Sequence, residues 1–257
     1  MAYLLGIDVG SGYSKAVVLE GNEIRSYAVM PSGGDYREAG RAAARTALEK
    51  VDLTQSDIAR TVATGYGGNL IDIAEETFTD ISCHAVGIQH LFPSVRTVID
   101  VGAQYSRAIR LHDEGKVANF IMNEKCAGGS GKFLQVAARI LHINVSEIGE
   151  LSLKATKPVE FTTGCAVFAE SEAVSRISEG ASPADILAGI HNAMASKIVT
   201  LVIRVGLTPD CAVTGGGAMD IGLVKAIAAE LGTDICVPQV PQITAALGAA
   251  LIAQKRD

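Results

Sequence analysis

Apolar residues along the chain fall into short blocks separated by glycine and small polar residues. Residues 3–8 and 15–19 alternate or run apolar and predict two strands joined by a tight Gly/Ser turn, with 22–30 continuing as a third. Residues 37–50 carry alanine and charge at helical spacing, 60–64 predict a short strand ending in the glycine turn 65–69, and 82–91 predict a helix. The order then restarts: 98–101, 108–112 and 117–122 predict strand, strand, strand. Helices are expected over 131–141, 166–178, 183–206 and 224–231, with strands at 211–214 and 235–237. Pro241 stands where proline favours a helix start, ahead of a last apolar helix. Strands followed by helices in two similar halves predict an α/β protein built from a duplicated unit.

The duplication is visible in the letters. "GIDVGSGYSK" begins at Gly6, and "VIDVGAQYSR" begins at Val98. Asp8 aligns with Asp100, Ser14 with Ser106 and Lys15 with Arg107. A strand, an Asp-x-Gly turn and a returning strand bring backbone N–H groups close to a ligand. Gly10, Gly12 and Gly102 permit that approach, successive N–H groups make an anion-binding concavity, and Ser11, Ser14 and Ser106 add hydroxyl donors. Asp8 and Asp100 repel phosphate oxygens but suit Mg²⁺ held through its water shell, while Lys15 supplies positive charge. Neither loop is a P-loop or a dinucleotide fingerprint. A third glycine cluster, Gly215, Gly216 and Gly217, ends a buried strand and lets the backbone lie against a flat ring or sugar. The expected order is phosphate, phosphate, adenosine.

Composition narrows the class. The 257 residues are 48% hydrophobic and 19% charged, enough for two lobes with substantial cores. A formal charge of −6 argues against nucleic-acid binding. No uncharged run reaches the ~18 residues of a membrane span, and the first residues lack the pattern of a signal peptide, so a soluble, cytoplasmic protein without a membrane partner is expected. The five cysteines form no CxxC pair and argue against a disulfide framework.

The two phosphate loops and "VTGGGAM" together resemble the acetate and sugar kinase/Hsp70/actin superfamily. That resemblance implies two duplicated actin-like (ribonuclease H-like) ATPase lobes with a nucleotide cleft between them, each lobe bringing one hairpin to the same ATP–Mg²⁺.

Two cysteines refine the resemblance. Cys126, in "NEKCAGGSGKFL", and Cys165, in "TTGCAVFAESEAVS", each stand just before or at an expected helix start. A helix N-terminus favours a thiolate or an anionic cluster. Gly129, Ser130 and Gly131 add a further phosphate-facing turn. An iron–sulfur cluster usually takes four cysteines, so two good ones suggest a cluster shared between two chains. Cys211 and Cys236 lie in apolar strands and are read as core, and His191 as structural.

These strings, with "ISCHAVGIQHLFPSVRTVIDVG", "AGIHNAMASKI" and "ALGAAL", resemble the activator component of 2-hydroxyacyl-CoA dehydratases and the ATPase subunits of benzoyl-CoA reductase, over essentially the whole chain. The resemblance implies a [4Fe–4S] cluster held by Cys126 and Cys165 at the interface of a dimer with a second copy or a paralogue. It also implies ATP/ADP and Mg²⁺, an electron donor such as ferredoxin or flavodoxin, and a dehydratase or acyl-CoA reductase that receives a low-potential electron. It places a first lobe over 1–96, a second over 97–240, and the helix 241–257 back on the first. Gln104 is the candidate for orienting the attacking water, and Glu170 and Gln242 for the nucleoside side. Ala103 and Tyr105 depart from the family's usual IGGQDSK, and Gly12 from its GSTxxK. The competing reading is a small-molecule kinase of the same superfamily, which would need an acceptor-side base and a substrate insertion.

Overall fold

The computed structural model describes residues 2–123, 127–161 and 166–255, without the side chains of 166 and 167. Two compact units make up the chain: 1–98 with 111–118 and 238–257, and 99–110 with 119–237.

In the first unit, β1 (Tyr3–Val9) pairs antiparallel with β2 (Tyr13–Glu20), which pairs antiparallel with β3 (Glu23–Pro31). On its other side β1 runs parallel to β4 (Ile58–Thr64), followed by β5 (Glu76–Thr77). The order is β3-β2-β1-β4-β5. The central strand is buried from Leu4 to Val9, because helices cover both faces, and its run is apolar but for Gly6 and for Asp8 near its end. Leu5, Ile7 and Val9 pack with Ala43, Ala44 and Ala47 of α1 (Tyr36–Glu49). Leu4, Val17 and Val62 pack with the opposite layer, formed by α2 (Asp80–Leu91) and the last helix. Asp35 caps α1 by accepting the Glu38 amide at 3.0 Å.

The second unit repeats the plan. Its sheet runs β10-β9-β6-β7-β8, from β6 (Thr97–Val101), β7 (Ser106–Leu111), β8 (Val117–Asn123), β9 (Cys211–Thr214) and β10 (Ile235–Cys236). Strand for strand this is the order of the first sheet. Around it lie α3 (Gly131–Ile140), α4 (Ile148–Ser152), α5 (Ala166–Ser178), α6 (Pro183–Val205) and α7 (Ile221–Leu231). α6 is long and apolar enough to match a membrane span by length and composition. Its Ile186, Leu187, Ile190, Met194, Ile198 and Val202 instead fill the core of this unit together with Ile99, Phe133 and Val213. Ser182 caps it and proline follows at its first position.

The chain ends in α8 (Thr244–Gln254), which is buried on nearly every side. A helix apolar all round belongs inside a protein. It reaches that place through small residues: a β-carbon on Gly6 would overlap the Ala246 carbonyl, and one on Gly248 the Cys83 carbonyl. Cys211 is fully buried as expected, whereas Cys236 is half-buried on a two-residue edge strand.

Candidate functional site

The hairpin of the first unit places Asp8 directly opposite Lys15, and the lysine Nζ lies 2.8 Å from the carboxylate Oδ2. The turn closes when the Gly10 amide donates to the Tyr13 carbonyl at 3.0 Å. Ser32, from the end of β3 onward, supports the tip. Its hydroxyl donates to the Gly10 carbonyl at 2.6 Å and lies 2.9 Å from the Ser14 hydroxyl. Ser11 and Gly12 stand half-buried at the tip, and the Gly12 carbonyl accepts the Ser32 amide at 3.0 Å.

The second hairpin has the same construction. Arg107 Nε lies 2.8 Å from Asp100 Oδ2, and the Gly102 amide donates to the Tyr105 carbonyl at 2.9 Å. Asp8 is 6% exposed and Asp100 2%. A buried carboxylate needs such a partner. The hairpins differ above the ion pair. The Tyr105 ring centroid lies 4.7 Å from the Arg107 guanidinium carbon, so the ring covers the cation. Tyr13, its counterpart, is 41% exposed. Gln104 is exposed at the tip and Ala103 half-buried beside it.

Each hairpin also meets a glycine turn that follows the neighbouring strand of the sheet, β4 in the first unit and β9 in the second. Gly215 has φ +83° and Gly65 has φ +87°, a region that favours glycine. A β-carbon on Gly65 would overlap Asp8 Oδ1, and one on Gly215 would overlap Asp100 Oδ1. Gly67 and Gly217 lie against Val9 and Val101 in the same way. The strands before them end in fully buried threonines, Thr64 and Thr214. "ATGYGG" of the first unit is therefore the structural counterpart of "VTGGGA" in the second. Gly216 is exposed beside Gly215.

The turn at Gly129–Gly131 is bound into the second hairpin. The Gly131 amide donates to the Gly102 carbonyl and the Lys132 amide to the Ala103 carbonyl, both at 2.9 Å, and the Ser130 amide and hydroxyl both go to the Ala127 carbonyl. These groups position hairpin and α3 against each other. Ser106, buried at 1% exposure, has a hydroxyl without a hydrogen-bond partner among the described residues, and it faces Gly129. Glu170 is exposed on α5, and Gln242 is half-buried ahead of α8 in the other unit. Cys126 and Cys165 lie outside the described residues. Cys83 is placed for packing, with burial pushing its thiol up to about 12, which leaves almost no thiolate at neutral pH.

Mg²⁺ can be tested against this geometry. In each carboxylate Oδ2 already pairs with a cation, while Oδ1 faces a glycine where any β-carbon would intrude. The arrangement fits a hydrated ion held through water, and not one ligated by both oxygens. Among the described residues no group of three His, Cys, Asp or Glu side chains converges on a metal position.

The sequence profile of the BadF/BadG/BcrA/BcrD ATPase family matches residues 5–253. The chain is 46% identical to an activator of lactoyl-CoA dehydratase from Anaerotignum propionicum, over 98% of this chain and 97% of that protein. Among solved structures it resembles component A of the (R)-2-hydroxyglutaryl-CoA dehydratase of Acidaminococcus fermentans, with a TM-score of 0.96, 41% identity and coverage of 100% and 99% of the two chains. It also resembles the activator of the 2-hydroxyisocaproyl-CoA dehydratase of Clostridium difficile with bound ADPNP, with a TM-score of 0.95, 40% identity and coverage of 98% and 94%.

Proposed function

This chain belongs to the BadF/BadG/BcrA/BcrD ATPase family, and from that premise we propose that it is an ATP-driven activator. It delivers low-potential electrons to a 2-hydroxyacyl-CoA dehydratase or a benzoyl-CoA reductase type partner. The observation that carries the nucleotide part is the repeated Asp–cation hairpin seated on a glycine turn, present in both units. A polyphosphate needs backbone N–H groups and cations at close range; both hairpins have glycine turns at their tips, and Lys15 of the first is less covered than Arg107 of the second. The activator part rests on near-full-length similarity to proteins named as dehydratase activators.

In this reading Gly10, Ser11, Gly12, Gly102 and Ala103 face the phosphates of one ATP. Lys15 and Arg107 balance Asp8 and Asp100, which hold hydrated Mg²⁺. Gln104, exposed at the second tip, orients the attacking water. Gly215–Gly217 carry the nucleoside, with Glu170 and Gln242 as further contacts. Cys126 and Cys165 of two chains hold a [4Fe–4S] cluster, which when bound supplies a one-electron carrier. The second chain is a copy or a paralogue, the electrons come from a ferredoxin or flavodoxin, and the setting is the cytoplasm.

Anaerobically purified protein tests both parts. Asp8→Asn and Asp100→Asn are expected to lower ATP turnover about a hundredfold, the scale of losing one preorganised electrostatic group, with iron content kept. Wild-type turnover in either variant would sink the two-hairpin site. Cys126→Ser or Cys165→Ser is expected to abolish a content of about four iron atoms per two chains, whereas Cys211→Ser keeps it. Full iron in Cys126→Ser would overturn the shared cluster.

A further inference from the structure

Behind the glycine turn of the second unit lies a polar group that the nucleotide reading does not use. His191, on the middle of α6 and 1% exposed, places Nδ1 3.0 Å from Ser152 Oγ at the end of α4, and Nε2 3.1 Å from Asp220 Oδ2 at the start of α7. Ser152 and Asp220 are themselves buried. The Asp220 carboxylate can only accept, so Nε2 of His191 carries the proton donated to it, while the Ser152 hydroxyl lies between Nδ1 and the Gly149 carbonyl 2.7 Å away. Asp220 also caps α7, with Oδ1 accepting the Leu223 amide at 3.0 Å. Two glycines make the group possible. A β-carbon on Gly222 would overlap Ser152 Oγ, and one on Gly149 would come within 2.7 Å of Asp220 Oδ1.

Serine, histidine and aspartate in a row suggest a nucleophile, but the packing excludes it. Gly222 stands against Oγ with no room for a substrate atom. The group's use lies at its other end. Asp220 is the residue that terminates the turn Gly216–Met219, and Gly215, immediately before that turn, presses on Asp100 Oδ1. The glycine turn is thus fixed on one side by the hairpin carboxylate and on the other by Asp220. Glycine backbone is otherwise the least constrained in the chain.

We infer that His191, braced by Ser152 and bonded to Asp220, is the positioning residue that holds the glycine turn 215–219 in register for the nucleoside half of the nucleotide. The inference rests on the ATPase reading above. The ring of His191 bonds to Ser152 and Asp220 behind the turn, so its loss acts on nucleotide affinity and leaves the hydrolytic step at the hairpins comparatively intact. Removing one of two bonds to a buried carboxylate is on the scale of a tenfold change in an equilibrium constant.

The test is steady-state ATP hydrolysis with equilibrium binding of ADP and of inorganic pyrophosphate, on wild type, His191→Ala and the milder Ser152→Ala, each checked for a cooperative thermal melt. The expected result is a KM for ATP and a Kd for ADP raised about tenfold in His191→Ala and about threefold in Ser152→Ala. Pyrophosphate affinity should stay within twofold and kcat should fall less than KM rises. Unchanged ADP affinity in a folded variant, or equal weakening of ADP and pyrophosphate, would overturn the positioning role. If His191→Ala does not fold, Ser152→Ala decides by the same criteria. A wild-type protein that binds no ADP would instead sink the ATPase reading itself, which separates the two failures.

Discussion

Asp8 and Asp100 occupy equivalent places, and each has a cation seven positions on. The cations differ in kind. Lysine is a compact point charge, whereas the guanidinium of Arg107 is planar and can lie under a ring. Tyr105 uses that plane, so two residues that look like independent changes in the second loop are one packed pair. Arg107→Met would leave the 2%-exposed Asp100 without its ion-pair partner and is expected to cost about 3–5 kcal/mol of stability. Arg107→Lys keeps a cation opposite Asp100 and should cost less than Arg107→Met, with the lost ring contact contributing about 0.5–1 kcal/mol. Denaturant unfolding of the three proteins checks this. Equal losses in the two variants would show that the ion pair contributes little.

At the scale of elements, the sequence pattern located most strands and helices because periodicity carries that information over several residues. β1, β2 and α6 are examples. It missed α4, with five residues, and β5, with two, since neither spans enough of a period. The paired hairpins were legible because they repeat at one spacing. The paired glycine turns were not recognised as partners, because Gly65 and Gly215 are displaced by a different interval than Asp8 and Asp100. Ser32, and the partners though not the structural role of His191, are opaque for another reason: Ser14, Ser152 and Asp220 are distant in the chain and meet them only through folding. Packing between elements yields a prediction of its own. Gly248 on α8 faces the Cys83 carbonyl of α2 with no space for a methyl group. Gly248→Ala raises helix propensity by about 1 kcal/mol, yet the overlap with rigid backbone should outweigh this and give a net loss on the order of 1–3 kcal/mol. A gain in melting temperature would refute the close approach.

Over the whole molecule, the two-unit plan follows from a duplication that the letters already display, and the fold class could be read from it. Periodicity alone does not carry which segments complete which unit; the family resemblance supplies that expectation for 241–257. The first unit takes in the chain's last stretch, from Pro238 onward, and α8 forms part of the layer against β1, β2 and β4. That segment order has a consequence for a chain made from one end to the other. A growing polypeptide that has reached Val237 already contains every residue of the second unit, while the sheet formed from its earliest residues still lacks a covering helix. Domains usually become stable in the order of synthesis; here the order is inverted. Nascent chains stalled on ribosomes with residues up to 237 outside the tunnel should protect 119–237 from protease and leave 1–98 cleavable. Extending the emerged chain through Gln254 should protect both. Early protection of 1–98 would mean that its sheet holds without the helix. While residues 238–254 are still inside the tunnel, the first hairpin would have to wait for them before its supporting sheet is whole.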